Sequence, residues 1–118
     1  MSSGVIIYHN PRCSKSRETL ALLNERGVEP QVVLYLETPP DAATVKKLLA
    51  MLGMHSAREL MRQKEDLYKE LHLADTGLSE TALIQAIVEH PKLMERPIVV
   101  KDGQARIGRP PEQVLEIL

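Results

Sequence analysis

The chemistry of this chain starts at Cys13, its one cysteine in 118 residues, set in the stretch IYHNPRCSKSRE from Ile7 to Glu18. A lone cysteine is usually a small buried hydrophobe, so a reactive role has to come from its surroundings. Apolar residues precede it, Pro11 and Arg12 lead into it, and Ser14, Lys15, Ser16 and Arg17 follow. The pattern predicts a strand, a turn and then a helix, with the thiol at the cap or first turn of that helix. The first N–H groups of a helix have no partners within it, and its peptide dipoles favour an anion there. A thiolate is such an anion. Helix starts and nearby cations lower a cysteine pKa, and Arg12, Lys15 and Arg17 flank this one.

CSKS is a Cys-x-x-Ser arrangement. In a Cys-x-x-Cys pair the second thiol resolves a mixed disulfide, whereas Ser16 offers only a hydrogen bond. Turnover therefore requires a thiol from outside the chain, such as glutathione or a partner protein. His9, four residues ahead of the cysteine, is placed to tune the thiolate or carry a proton. Ser14 and Ser16 would serve equally well as first-turn caps, and His9 as an ordinary strand-end residue. His55, His72 and His90 are scattered and match no zinc spacing. Walker loops, dinucleotide fingerprints and serine elbows are missing too. No metal and no bound organic cofactor is expected.

The elements that must position these residues can be read in order. VIIY (Val5 to Tyr8) is a short β-branched run, predicted as a strand buried on both faces. A helix is predicted from Ser14 to Arg26, with Leu20, Leu22 and Leu23 forming its apolar face and Gly27 as its stop. QVVLYL (Gln31 to Leu36) follows as a second strand, giving a βαβ unit with parallel strands. From about 41 to 90 only helical signals occur, with caps at Asp41, Ser56 and Ser79 and breaks at Gly53 and Gly77. PIVVKDGQARIG then reads as a hairpin turning at Asp102–Gly103. PPEQVLEIL closes the chain as a helix expected to turn Val114, Leu115 and Leu118 inward. With the helical stretch treated as an insertion, βαβ joined to ββα is the layout of a thioredoxin-like fold. The expected organisation is one domain over 1–118 with a helical insertion at about 41–90.

Composition narrows the class. Lys plus Arg total 15 against 16 Asp plus Glu, a net charge of -1, and 43% of residues are hydrophobic. Near-neutral charge and 3% aromatic content give no reason to expect nucleic acid or membrane as partner. A single cysteine excludes an internal disulfide and suits a reducing compartment. The N-terminal apolar run is too short for a signal peptide. A cytoplasmic location is expected.

At full length the chain resembles the glutathione- and glutaredoxin-dependent arsenate reductases, especially their short-chain members. The resemblance is carried by IYHNPRCSKSRETL, LYLETPP, ARELMRQKEDLY, HPKLMERPIVV and RIGRPPEQVLEIL, in that order. It implies that Cys13 attacks arsenic, that His9 assists the thiolate and that Ser16 is the serine ending the motif. Arg62 in LMRQK, Arg96 in ERPIVV and Arg109 in GRPPE would hold the oxyanion, and Pro97 would be cis beside the cysteine. Arg12, Lys15 and Gly108 vary local charge and packing. The implied reaction is reduction of arsenate, or a similar small oxyanion, with glutathione as co-substrate and glutaredoxin as partner. Two other functions fit the motif less fully. One is a glutathione-linked thiol oxidoreductase or deglutathionylating enzyme. The other is a polymerase-binding regulator of thiol stress, which usually carries the Cys-x-x-Cys that this chain lacks.

Overall fold

A computed structural model describes residues 4–118. Its elements are β1 (Val5–His9), α1 (Ser14–Glu25), β2 (Gln31–Leu34), α2 (Ala42–Leu52), α3 (Asp66–Glu70), α4 (Glu80–Glu89), β3 (Ile98–Lys101) and β4 (Gln104–Ile107). Short 3₁₀ helices occupy Ala57–Leu60, Pro91–Leu93 and Pro111–Ile117. The chain divides into two compact units. One takes the chain as far as Thr38 and again from Arg96 to Leu118, and the other is Pro39–Glu95.

The first unit holds a four-stranded sheet in the order β2-β1-β3-β4. β1 and β2 run parallel, joined by the α1 crossover, and the other pairings are antiparallel. Ile7 lies opposite Val32 on one side and Val99 on the other. β1 alternates fully buried Val5, Ile7 and His9 with half-buried Ile6 and Tyr8, so only one of its faces is fully enclosed. That face packs Val5, Ile7 and Val99 against Leu23 of α1 and against Val114 and Ile117 near the C-terminus.

α1 buries Ser16, Thr19 and Leu23, while Leu20 and Leu22 are only partly covered. The spacing 16, 19, 23 is one helical stripe. Its N-terminal half is polar because that end of the helix faces the cysteine loop instead of the apolar core. Gly27, at φ +74°, takes the left-handed conformation that follows the helix end. β2 is two residues shorter than expected, and Tyr35, just beyond it, is buried.

The β3–β4 hairpin turns on Asp102 and Gly103, both at positive φ as a two-residue type I′ turn requires. The C-terminal segment departs from expectation. It winds as a 3₁₀ helix, whose three residues per turn bring Pro111, Val114 and Ile117 onto one buried face. Leu115 is therefore half-buried, and Leu118 is 38% exposed.

The Pro39–Glu95 unit is helical. α2 is capped by the Asp41 carboxylate, which accepts the Thr44 N–H at 2.8 Å, and it ends at Gly53. Val45, Leu48 and Leu49 of α2 and Leu83, Ile84 and Ile87 of α4 are buried. Ser56 and Glu59 form a capping box on Ala57–Leu60. Glu80 adds an acceptor for the Ala57 N–H at 2.8 Å and the Ser56 hydroxyl at 2.7 Å. Among the described residues this unit has no strand, only an isolated bridge between Met61 and Met94. The architecture is a thioredoxin-like fold with a helical insertion between its βαβ and ββα halves.

Candidate active site

The turn that carries the thiol is built mostly by Asn10. Its carbonyl accepts the Cys13 N–H at 3.0 Å and its side-chain oxygen accepts the Arg12 N–H at 3.0 Å. Cys13 itself is the N-cap of α1, with extended dihedrals, and its carbonyl accepts the Arg17 N–H at 3.0 Å. The helix therefore begins immediately beyond the sulfur. Cys13 is 8% exposed.

Burial by itself pushes the thiol pKa up. The Ser16 N–H, the Arg96 charge, the Lys15 N–H and the Arg109 charge together outweigh it, and the Cys13 pKa is lowered. The cations responsible are thus the distant arginines and not the flanking ones. Arg109 donates from Nη1 to the sulfur at 3.8 Å and to the Arg96 carbonyl at 3.4 Å. Lys15 instead turns its ammonium to Glu18 at 3.4 Å. Arg17 donates to the Pro11 carbonyl at 3.0 Å.

His9 and Ser16 form the second half of the site. Both are buried, and His9 Nδ1 lies 2.6 Å from Ser16 Oγ. The same oxygen accepts the Asn10 N–H at 3.0 Å. Burial, then the Arg17 charge, lowers the His9 pKa and keeps the ring neutral near pH 7. A neutral imidazole can accept from the serine hydroxyl through Nδ1 or donate to it. A crevice of about 250 Å³ opens alongside, between the His9–Arg12 turn and the Leu34–Glu37 segment.

The two arginine-bearing segments belong to one hairpin. Arg96 precedes β3 and Arg109 follows β4, so both stand at the end opposite the Asp102–Gly103 turn. Gly108 donates its N–H to the Pro97 carbonyl at 2.9 Å. A side chain at 108 would meet Pro97 Cγ at 2.9 Å and also crowd Thr19, so glycine permits the close approach to α1. The Arg96–Pro97 and Arg109–Pro110 bonds are both cis, and only the first was expected.

Arg62 lies in the Pro39–Glu95 unit. Its guanidinium pairs with Glu65 at 3.1 Å and Glu95 at 3.9 Å. The structure therefore brings Cys13, His9, Ser16, Arg96, Pro97 and Arg109 together within one unit, and finds Arg62 in carboxylate pairs within the other. Asn10 and Thr19 also shape the site. Asn10, two residues before Arg12, has the Asx-turn spacing, whereas Thr19 carries no local signal. Among the described residues no group of three His, Cys, Asp or Glu is placed to hold a metal ion. No described helix is long and apolar enough to cross a membrane.

A redox-type thioredoxin-like fold with one activated thiol beside two arginines defines a narrow class of protein. The ArsC family model matches residues 8–117. The chain belongs to the ArsC family. It is 78% identical over 118 residues to the uncharacterized Escherichia coli (strain K12) protein YfgD, covering 100% of this chain and 99% of that one. It is 54% identical over 112 residues to an arsenate reductase of Neisseria meningitidis serogroup A, covering 95% of this chain and 96% of that one. The solved structure of an arsenate reductase from Vibrio cholerae superposes with a TM-score of 0.97 at 62% identity, covering 100% of both chains.

Proposed function

We propose that this protein reduces arsenate to arsenite, with Cys13 as nucleophile and glutathione and glutaredoxin as reductants. The observation that carries the reading is the Arg109 guanidinium 3.8 Å from the sulfur of a cysteine whose pKa is lowered. A cation there both holds the thiolate and offers a donor to a tetrahedral oxyanion docking against it. Family membership and the relatives named arsenate reductase support the substrate.

In the cycle, the Cys13 thiolate attacks arsenic(V) and one arsenate oxygen leaves as water after protonation. Glutathione then replaces a second oxygen, again released as water. Joining the two sulfurs as a glutathionyl–Cys13 disulfide passes two electrons to arsenic, which departs with its two remaining oxygens and takes up one water to become arsenite. A glutaredoxin thiolate takes the glutathione sulfur and restores Cys13, and a second glutathione recycles glutaredoxin. Arg96 and Arg109 offset charge on the oxyanion, preorganised by their fixed hairpin. Arg62 is assigned as the third arginine on the strength of its LMRQK motif. His9, held through Ser16, moves the protons that oxygen release demands. In this reading residues 1–118 act as one thioredoxin-like domain with its insertion at about 41–90, working in the cytoplasm.

The test is a coupled assay with glutathione, glutaredoxin and a recycling system. Arsenite should form, Cys13→Ser should abolish it, and omitting either reductant should stop steady turnover, because Ser16 cannot close a disulfide. Glutathione removal from a model disulfide without arsenite would replace the reading with a general thiol enzyme.

A further inference from the structure

We propose that the crevice between the His9–Arg12 turn and the Leu34–Glu37 segment is the docking site for the glutathione co-substrate, Arg12 taking a carboxylate and Glu37 the ammonium. The inference rests on the arsenate-reductase reading only for its need of an external thiol.

Three observations lead to it. The crevice, about 250 Å³, sits at the carboxyl ends of the parallel strands β1 and β2, where α/β sheets place ligands. Its wall includes Arg12, whose peptide bond joins it to Cys13, so a molecule seated there lies next to the thiol loop. Its two exposed charges have opposite signs, and among the described residues neither the Arg12 guanidinium nor the Glu37 carboxylate forms an ion pair or hydrogen bond. Nearby charges on the same unit are spoken for: Lys15 pairs with Glu18, Arg106 with Glu116, and Arg17 with a carbonyl. Leu34 and Leu36, the latter 43% exposed, line the same crevice. The chemistry recognised is that of a short zwitterionic peptide with charged ends and a compact, weakly polar middle. Glutathione, with two carboxylates and one ammonium around a mercaptomethyl side chain, has that pattern.

The probe is S-methylglutathione, which binds but cannot exchange thiols, titrated into ¹⁵N-labelled full-length protein. Amide shifts should centre on Asn10, Arg12 and Leu34–Glu37. Arg12→Ala and Glu37→Gln should each weaken binding about two- to fivefold, the range of one exposed ion pair. Acetylating the ammonium of the probe should remove the effect of Glu37→Gln while keeping that of Arg12→Ala. In turnover, both variants should raise KM for glutathione and hold KM for arsenate. Shifts confined to Arg96, Gly108 and Arg109, or unchanged binding by both variants, overturn the site even if arsenate is reduced. Mapped, charge-dependent binding without arsenate reduction keeps the site and sinks the substrate.

Discussion

At the scale of single residues, the site works by setting charge against burial. Cys13 is enclosed enough for its thiolate to be costly, and two arginines more than eighty positions downstream, with two helix N–H groups, reverse that cost. Arg96→Ala and Arg109→Ala should therefore each move the pH midpoint of iodoacetamide alkylation upward, toward the ordinary thiol range near ~8.5. Each should also impair arsenate turnover by a larger factor than it slows alkylation at high pH. Equal losses in both assays would indicate damage to the fold. His9 behaves in the opposite sense to an activated group. Its folded pKa lies below the ordinary 6.5, so the unfolded chain takes up the proton first. Stability attached to neutral His9 is whole above that value and is lost as pH falls through the folded pKa. Urea midpoints measured from pH 7.5 down to 5 should drop more steeply for the native protein than for His9→Gln. The thiol, His9 and Ser16 were legible because strand, turn and helix follow one another in the chain. The cations acting on the sulfur were not legible from spacing. Lys15 and Arg17 sit beside Cys13 in sequence yet point to Glu18 and Pro11.

At the scale of elements, what could be read depended on period. The strand at Val5–Tyr8, the Asp102–Gly103 turn and the Asp41, Ser56 and Ser79 caps all have local causes, and all occur, although β1 is fully enclosed on one face and not on both as its apolar run suggests. The C-terminal segment misled because an apolar pattern does not reveal whether the winding has 3.6 or three residues per turn. Pro110 and Pro111 open a 3₁₀ helix there, and the inward set becomes Pro111, Val114 and Ile117. Ile117→Ala should then cost about 2 kcal/mol or more of unfolding free energy. Leu118→Ala should stay within about 0.5 kcal/mol. Chemical denaturation of the two variants separates the windings, since an α-helical face would make Leu118 the costly position. α1 shows a related limit. Leu20 and Leu22 suggested an apolar stripe, but the buried stripe runs through Ser16 and Thr19 because the helix start serves the site.

At the scale of the whole molecule, the order βαβ, helices, ββα was legible because each switch in hydrophobic period is local to the sequence. The function of the inserted unit was not, since Arg62 spends its charge on Glu65 and Glu95 there. If Arg62 is the third oxyanion ligand, Arg62→Ala should lower kcat/KM for arsenate at least tenfold and leave the alkylation midpoint of Cys13 in place. Such a split would separate oxyanion binding from thiol activation, because the charges that lower the Cys13 pKa are those of Arg96 and Arg109. A shift in both would tie Arg62 to the thiolate directly.

The hairpin has a practical consequence for handling the protein. Arg96 and Arg109 stand at its open end, whereas Asp102 and Gly103 cap the other end, four strand residues away. At about 3.4 Å per residue the tip lies more than 10 Å from the arginines along the strands. A biotin-acceptor peptide spliced between Asp102 and Gly103 should therefore let the enzyme be tethered to a surface by its tip. The tether would spare the sole thiol, which conventional maleimide coupling would consume. Immobilised and free enzyme should show the same KM for arsenate, and a loss at the surface would mean that the hairpin transmits a disturbance from its tip to its open end.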